Sequence, residues 1–249
     1  MTKNIAIIGG TDSSGGSGIG ADLATIADQN CCVSHPVISA ITLQNSKPAQ
    51  IHAIPTIALK SQLSSLSALS LDAIKIGMLP DENSVLAVFE FLKNSICPKV
   101  ILDPIRYSSS GIELISAKGW DTLRKTLVPL VDLLTPNINE ARLLLDIGTS
   151  VEIPPKKLAE KCLKLGCSAI MLKGGHANDP DCSTDLLLMN NKAPQTFNYP
   201  RIKEGTKVRG TGCRLATAIA CQWSVTNNLE TSVFNAGKYL QNYIRNSVS

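Results

Sequence analysis

The sequence predicts an α/β protein built on a mostly parallel sheet with helices on both faces. Three observations carry this. Short aliphatic runs at 4–8, 37–43, 73–76, 99–102, 130–134 and 169–172 alternate with stretches of helical spacing. Each run gives way to glycine or polar residues, and ligands in such sheets bind outside the strand carboxyl ends. Aromatic residues make up only 4% of the chain, so packing falls to Ile, Leu, Val and Ala, which suits strands covered on both faces.

Taken in order, the strand over 4–8 closes in Gly9-Gly10, and residues 11–20 form a flexible polar loop before a helix over about 21–27. The second strand, 37–43, carries Gln44-Asn45 at its end. A helix from about 57 to 69 leads into the strand 73–76 and then Gly77-Met78-Leu79. Val85, Val88, Phe89 and Leu92 give residues 83–93 helical spacing. The strand 99–102 closes in Asp103-Pro104, and 130–134 in Thr135-Pro136-Asn137. Asn137 is placed to cap a helix over 138–145, with Glu140 in its first turn. A helix over 154–165 precedes the strand 169–172, which ends in Lys173-Gly174-Gly175-His176. The runs 185–189 and 195–197, around Asn190-Asn191, pair antiparallel at an edge, and helices over 213–225 and 229–246 follow. With no repeat, low-complexity stretch or linker, a single domain over residues 1–249 is expected.

Net charge is +4, from 24 basic and 20 acidic residues, with no run of like charges longer than a lysine pair. No nucleic-acid partner is expected from that pattern, and no membrane association from the absence of a long apolar run. The eight cysteines show no C-x-x-C pair and no Cys/His cluster of zinc-ligand spacing. With no signal peptide evident after Met1, a reduced, cytoplasmic compartment is the expectation.

The chemistry concentrates at Arg209-Gly210-Thr211-Gly212-Cys213-Arg214, a glycine turn feeding an apolar helix. A helix that begins in such a turn leaves its first N–H groups pointing outward, which makes an anion site. Cys213 falls in the first turn, where the positive end of the dipole favours a thiolate, and Arg209 and Arg214 add charge on either side. Gly16-Ser17-Gly18-Ile19-Gly20-Ala21 fits G-x-G-x-x-A, but it lies well past its strand and lacks the following acidic ribose partner, so a dinucleotide site is rejected. A phosphate loop of the G-x-x-x-x-G-K type is absent as well.

In their order along the chain, the glycine-rich 9–18, Gln44-Asn45, Lys75-Ile76-Gly77-Met78-Leu79, Thr135-Pro136-Asn137-Ile138-Asn139-Glu140, Lys173-Gly174-Gly175-His176 and Gly210-Thr211-Gly212-Cys213 form an ordered set. That set resembles the hydroxymethylpyrimidine/phosphomethylpyrimidine kinases of thiamine biosynthesis, a ribokinase-like family. The resemblance implies a ribokinase-like fold, transfer of the ATP γ-phosphoryl group to the hydroxymethyl of an aminopyrimidine, and a second transfer onto the monophosphate. It implies ATP and Mg²⁺ as cofactors and a homodimer.

By the same resemblance Gln44 reads the aminopyrimidine edge, a donor–acceptor pair that a carboxamide matches bidentately. Met78 lies against the ring, with Gly10 and Asp22 beside the substrate. Lys173 and Thr211 reach the ATP phosphates, and Glu140 and Asp103 hold Mg²⁺. Gly210, Thr211 and Gly212 stabilise the transferring group, while Cys213 serves either as general base or to position the hydroxyl. Arg209 and Arg214 replace the family's usual His and Thr, and Arg106-Tyr107 replaces smaller apolar residues. Pyridoxal kinase is the nearest alternative enzyme, and a non-catalytic pyrimidine-binding module is the alternative of another class.

Overall fold

The computed structural model describes residues 2–43, 50–97, 99–108, 110–174 and 181–248. Among them, nine strands form one sheet: β1 (Lys3–Asp12), β2 (Cys32–Leu43), β3 (Gln50–Ala53), β4 (Ala73–Ile76), β5 (Val100–Leu102), β6 (Leu133–Leu134), β7 (Ala169–Leu172), β8 (Cys182–Met189) and β9 (Gln195–Pro200). Their order is β3-β2-β1-β4-β5-β6-β7-β8-β9. The inner strands from β2 to β7 pair in parallel, and antiparallel strands close both edges. The helices are α1 (Gly18–Gln29), α2 (Thr56–Ser65), α3 (Glu82–Lys93), α4 (Ala117–Thr126), α5 (Ile138–Leu144), α6 (Pro155–Leu163), α7 (Thr211–Thr226) and α8 (Leu229–Val248).

Alternation along the strands divides the core. Ala6, Ile8, Ile74, Ile76 and Leu102 face one layer, packed on α2, α3 and α4. Ile5, Ile7, Ala73 and Ile101 face the other, with Leu215, Ile219, Val233 and Ala236 of α7 and α8. Successive side chains of a strand point to opposite faces, so short runs of consecutive aliphatics fill both layers at once.

Most expected elements are found, with informative differences at their ends. β1 continues to Asp12, because Gly9-Gly10 stays in the sheet at a register shift against β2. A Cβ at Gly10 would come within 2.7 Å of the Met78 sulfur, so the glycine makes room for that side chain. β2 begins at Cys32 and carries Pro36 opposite Ile7. The proline is tolerated because β3 pairs only with Ala40 to Leu43, which leaves the outer edge open at Pro36. β3 and α4 escaped the sequence reading: β3 is short and exposed, and α4 buries little beyond Trp120 and Leu123 behind its Ser116 cap. The residues before β6 form a 3₁₀ turn, Val128–Leu130, rather than strand. The cap on α5 stands as expected, Asn137 and Glu140 exchanging side-chain and backbone hydrogen bonds.

The packing of α8 on β9 depends on Gly237, where a Cβ would overlap the ring and hydroxyl of Tyr199. We expect Gly237→Ala to destabilise the protein by about 1–3 kcal/mol, as overpacking does. Gly237→Ala combined with Tyr199→Leu should recover part of the loss in a thermal melt. Equal melting of Gly237→Ala and the parent would show that Tyr199 does not depend on this gap.

Candidate active site

A cavity of about 640 Å³ opens at the carboxyl ends of the inner strands, where β1, β4, β5 and β7 hand over to loops. Its charged wall comes from residues that are distant in sequence. Asp103 follows β5 and Lys173 follows β7, and the Lys173 ammonium donates to Asp103 Oδ1 at 2.8 Å. Glu140, in the first turn of α5, lies 4.0 Å from the same ammonium. Its carboxylate accepts the Asn137 N–H at 2.7 Å, while its own N–H donates to Asn137 Oδ1 at 2.8 Å.

The first turn of α7 closes over this group. Gly210 caps the helix with φ +71°, and a Cβ there would run into the Gly16 carbonyl. Only glycine combines that conformation with that approach. A Cβ built on Gly212 would stand 3.4 Å from Lys173 Nζ and 3.7 Å from Asp103 Oδ2, so the helix start and the ion pair are neighbours. The start of α7, with the positive end of its dipole, and a lysine thus face one space lined by two carboxylates.

Burial shapes the titration of these groups. It pushes Glu140 up to about 7 against the pull of Lys173, with Asp103 adding to the rise. It opposes the Lys173 ammonium too, yet Asp103 and Glu140 more than offset this and hold the lysine above its ordinary range. Asp185, which accepts the Gly174 N–H at 2.9 Å, is pushed up to about 6 by burial. The expectation of a favoured Cys213 thiolate is corrected here. Cys213 is only 8% exposed, and its burial raises the thiol to about 11 although Lys75 works against the rise. Desolvation outweighs the helix end, so the group is a thiol at neutral pH.

The two arginines part company. Arg209 lines the cavity and donates to Asp12 Oδ2 at 3.0 Å. Asp12 also accepts from the Ser14 hydroxyl at 2.7 Å and the Ser17 hydroxyl at 2.8 Å. The loop expected to be flexible is therefore wired to the end of β1 and to the α7 turn. Arg214 is buried away from the site, its guanidinium 3.9 Å from the Tyr243 ring and donating to Thr25 Oγ1 at 3.4 Å. It adds no charge to the cavity wall. Arg106 is likewise held elsewhere, against Glu113 and the rings of Tyr107 and Trp120, while Tyr107 reaches the cavity.

Gly10, Met78, Asp22, Asp103, Glu140, Lys173, Gly210, Thr211, Gly212 and Cys213 all line this one cavity. Asp22 lies deep in it, with both carboxylate oxygens engaged, one by Lys75 at 2.8 Å and one by Thr217 at 2.7 Å. Gln44 lies outside the described residues, as do Asn45, Gly175 and His176. The sequence reading gave no role to Lys75, Asp12 or Asp185, which also line the cavity. Lys75 did leave a signal: a lone charge inside an aliphatic strand.

The model of the family described as phosphomethylpyrimidine kinase matches residues 12–249. The chain belongs to that family. It is 36% identical to the hydroxymethylpyrimidine/phosphomethylpyrimidine kinase of Escherichia coli (strain K12), over 95% of this chain and 89% of that one. The crystal structure of phosphomethylpyrimidine kinase from Clostridium difficile 630 superposes with a TM-score of 0.79 at 28% identity, covering 100% of both chains. Pyridoxal kinase from Staphylococcus aureus in complex with AMP-PCP superposes at 0.86 with 25% identity, over 99% of this chain and 89% of that one. The family's ribokinase-like α/β fold is the architecture described above. No helix among the described residues is long and apolar enough to cross a membrane.

Because burial raises Glu140, the folded protein binds a proton between pH 4.5 and about 7 that the unfolded chain releases. Stability should fall as pH rises through that window. Glu140→Gln keeps an acceptor for the Asn137 N–H and removes the titration. It should melt like the parent near pH 5 and above it near pH 8. A gap that does not change with pH would place the carboxylate in an ionised state throughout.

Proposed function

We propose that the protein transfers the γ-phosphoryl group of ATP to the hydroxymethyl oxygen of 4-amino-5-hydroxymethyl-2-methylpyrimidine, and then phosphorylates the monophosphate, in thiamine synthesis. The observation that carries this reading is the meeting of Lys173, Asp103 and Glu140 with the glycine turn of α7 and Cys213 around one cavity. Phosphoryl transfer asks a protein mainly for positioning and charge neutralisation. Lys173 and the N–H groups of Gly210, Thr211 and Gly212 supply positive charge for the phosphates, and Thr211 adds a hydroxyl. Met78 and Gly10 form an apolar wall suited to an aromatic ring, and Gln44 is assigned to the pyrimidine edge.

Two carboxylates beside one lysine also suit Mg²⁺, a hard cation held by few protein oxygens together with substrate phosphates. Among the described residues no group of three or more His, Cys, Asp or Glu side chains could hold a metal unaided. Glu140 and Asp103 would hold it, and when bound it would neutralise charge on the phosphate oxygens.

Cys213 faces the acceptor hydroxyl. A thiol raised to about 11 is a poor base at neutral pH, so it serves first to orient the hydroxyl by hydrogen bonding.

ADP release with a panel of pyrimidine, pyridoxal and sugar alcohols tests the function. Turnover should be greatest with the aminopyrimidine alcohol, and Gln44→Leu should raise its KM while leaving that of ATP alone. Preference for pyridoxal would overturn the assignment in favour of the related kinase, and no turnover with any alcohol would favour a binding module.

Substitution of Cys213 separates its two roles. Cys213→Ala should cost less than the roughly 10²–10⁴-fold in kcat that a positioned base contributes. A loss within that range, partly restored by Cys213→Asp, would mean that the sulfur does take the proton.

A further inference from the structure

The eight cysteines are all free, and the kinase reading uses only Cys213. Two others stand side by side at the far end of the sheet. Cys31 and Cys32 mark the amino end of β2, whereas the cavity opens at the carboxyl ends of the inner strands. Both are partly exposed and pack against the α7 layer that contains the buried Cys221.

The local backbone brings their sulfurs together. Consecutive residues of a strand point to opposite faces. Here α1 ends in Asn30, which takes the left-handed conformation with φ +49°, and the chain bends at Cys31 before β2 begins at Cys32. The Lys3 N–H donates to the Cys31 carbonyl at 3.3 Å and fixes that bend to β1. The Cys31 and Cys32 sulfurs then lie 3.4 Å apart. On its other side the Cys32 sulfur is 3.7 Å from Ser224 Oγ of α7, a hydroxyl held by donating to the Cys221 carbonyl at 2.7 Å.

We propose that Cys31 and Cys32 form a redox-modification site for hydrogen peroxide, Cys32 taking the oxidant and Cys31 closing a disulfide with it. The Cys32 thiolate attacks one peroxide oxygen and the O–O bond breaks, leaving a sulfenic acid on Cys32 and a hydroxide that takes up a proton as water. The Cys31 sulfur then attacks the Cys32 sulfur. The S–O bond breaks, and the oxygen leaves with the Cys31 proton as a second water. Two thiols give up two electrons, and one peroxide becomes two waters.

The surroundings assign the two roles. The Cys221 and Cys31 thiols, donating to Cys32, hold it below the usual thiol range although burial opposes them. The thiolate is the attacking form, so the peroxide meets Cys32 first. Burial, together with the bond and charge of Cys32, keeps Cys31 protonated. Oxidation of Cys32 removes that bond and that charge, which frees Cys31 to react at 3.4 Å. Adjacent α-carbons are about 3.8 Å apart, closer than in most disulfides, so the product is strained and readily reduced. Cys97 is a reference within the same chain: it is also partly exposed, but burial pushes its thiol up to about 11.

The test is a peptide map of the reduced protein after exposure to hydrogen peroxide, with the remaining thiols blocked under denaturing conditions. The peptide that carries both cysteines should lose two hydrogens and take no blocking label, about 10-fold or more faster than Cys97 loses its own. Reduced glutathione should restore both thiols. In Cys31→Ser, Cys32 should be trapped by dimedone as the sulfenic acid and pass on to sulfinic acid. In Cys32→Ser, Cys31 should react no faster than Cys97. Oxidation of Cys32 at the rate of Cys97, a disulfide from Cys32 to Cys221, or sulfinic acid in the parent without a disulfide would overturn the proposal. The parent's map decides even where a variant folds poorly. No readout involves turnover, so the result stands apart from the kinase reading.

Discussion

The ion pair between Lys173 and Asp103, set against the first turn of α7, is the contact on which the candidate site depends. A helix start carries partial positive charge, and a lysine brought beside it would be repelled without an anion between them. Asp103 supplies that anion at 2.8 Å, and the Glu140 carboxyl, raised by burial to about 7, lies 4.0 Å from the same ammonium. The start of α7 lies directly beside the pair, a Cβ built on Gly212 standing 3.4 Å from Lys173 Nζ. What results is a fixed positive surface, balanced by carboxylates, at the edge where a parallel sheet leaves room for a ligand.

A second constraint holds the mouth of the cavity. Gly18 and Gly210 both adopt positive φ, and a side chain at either would strike a carbonyl of the opposing segment. Asp12 gathers Ser14, Ser17 and Arg209 into one hydrogen-bonded group across that join. The polar composition of this loop, which in isolation suggests mobility, reflects hydrogen bonds made at home. The Arg209 guanidinium ties the start of α7 to the end of β1.

The buried lysines are used differently. Lys173 keeps a partly exposed ammonium turned to the cavity, where it can meet an anionic ligand. Lys75 is paired with Asp22 at 2.8 Å deep in the cavity wall, both side chains almost fully buried.

The amino-acid sequence by itself determined the alternation of strands and helices, the glycine turn before α7 and the Asn137–Glu140 cap. These rest on neighbours a few residues apart, through the periods of strand and helix and the reach of a capping side chain. The motif order along the chain was enough to mark the family and to nominate Asp103, Glu140, Lys173 and Cys213 for one site. Only the tertiary structure decided what those residues experience there. Lys75 and Asp22 are 53 positions apart, and Arg209 and Asp12 are 197 apart, so no local pattern pairs them. Arg214 turns into the helix layer by its place on α7, although its neighbour in the motif, Cys213, faces the cavity. The state of Cys213 follows the same rule: the helix end that favours a thiolate is visible in the sequence, but the desolvation that overrides it exists only once the chain has folded around the sulfur.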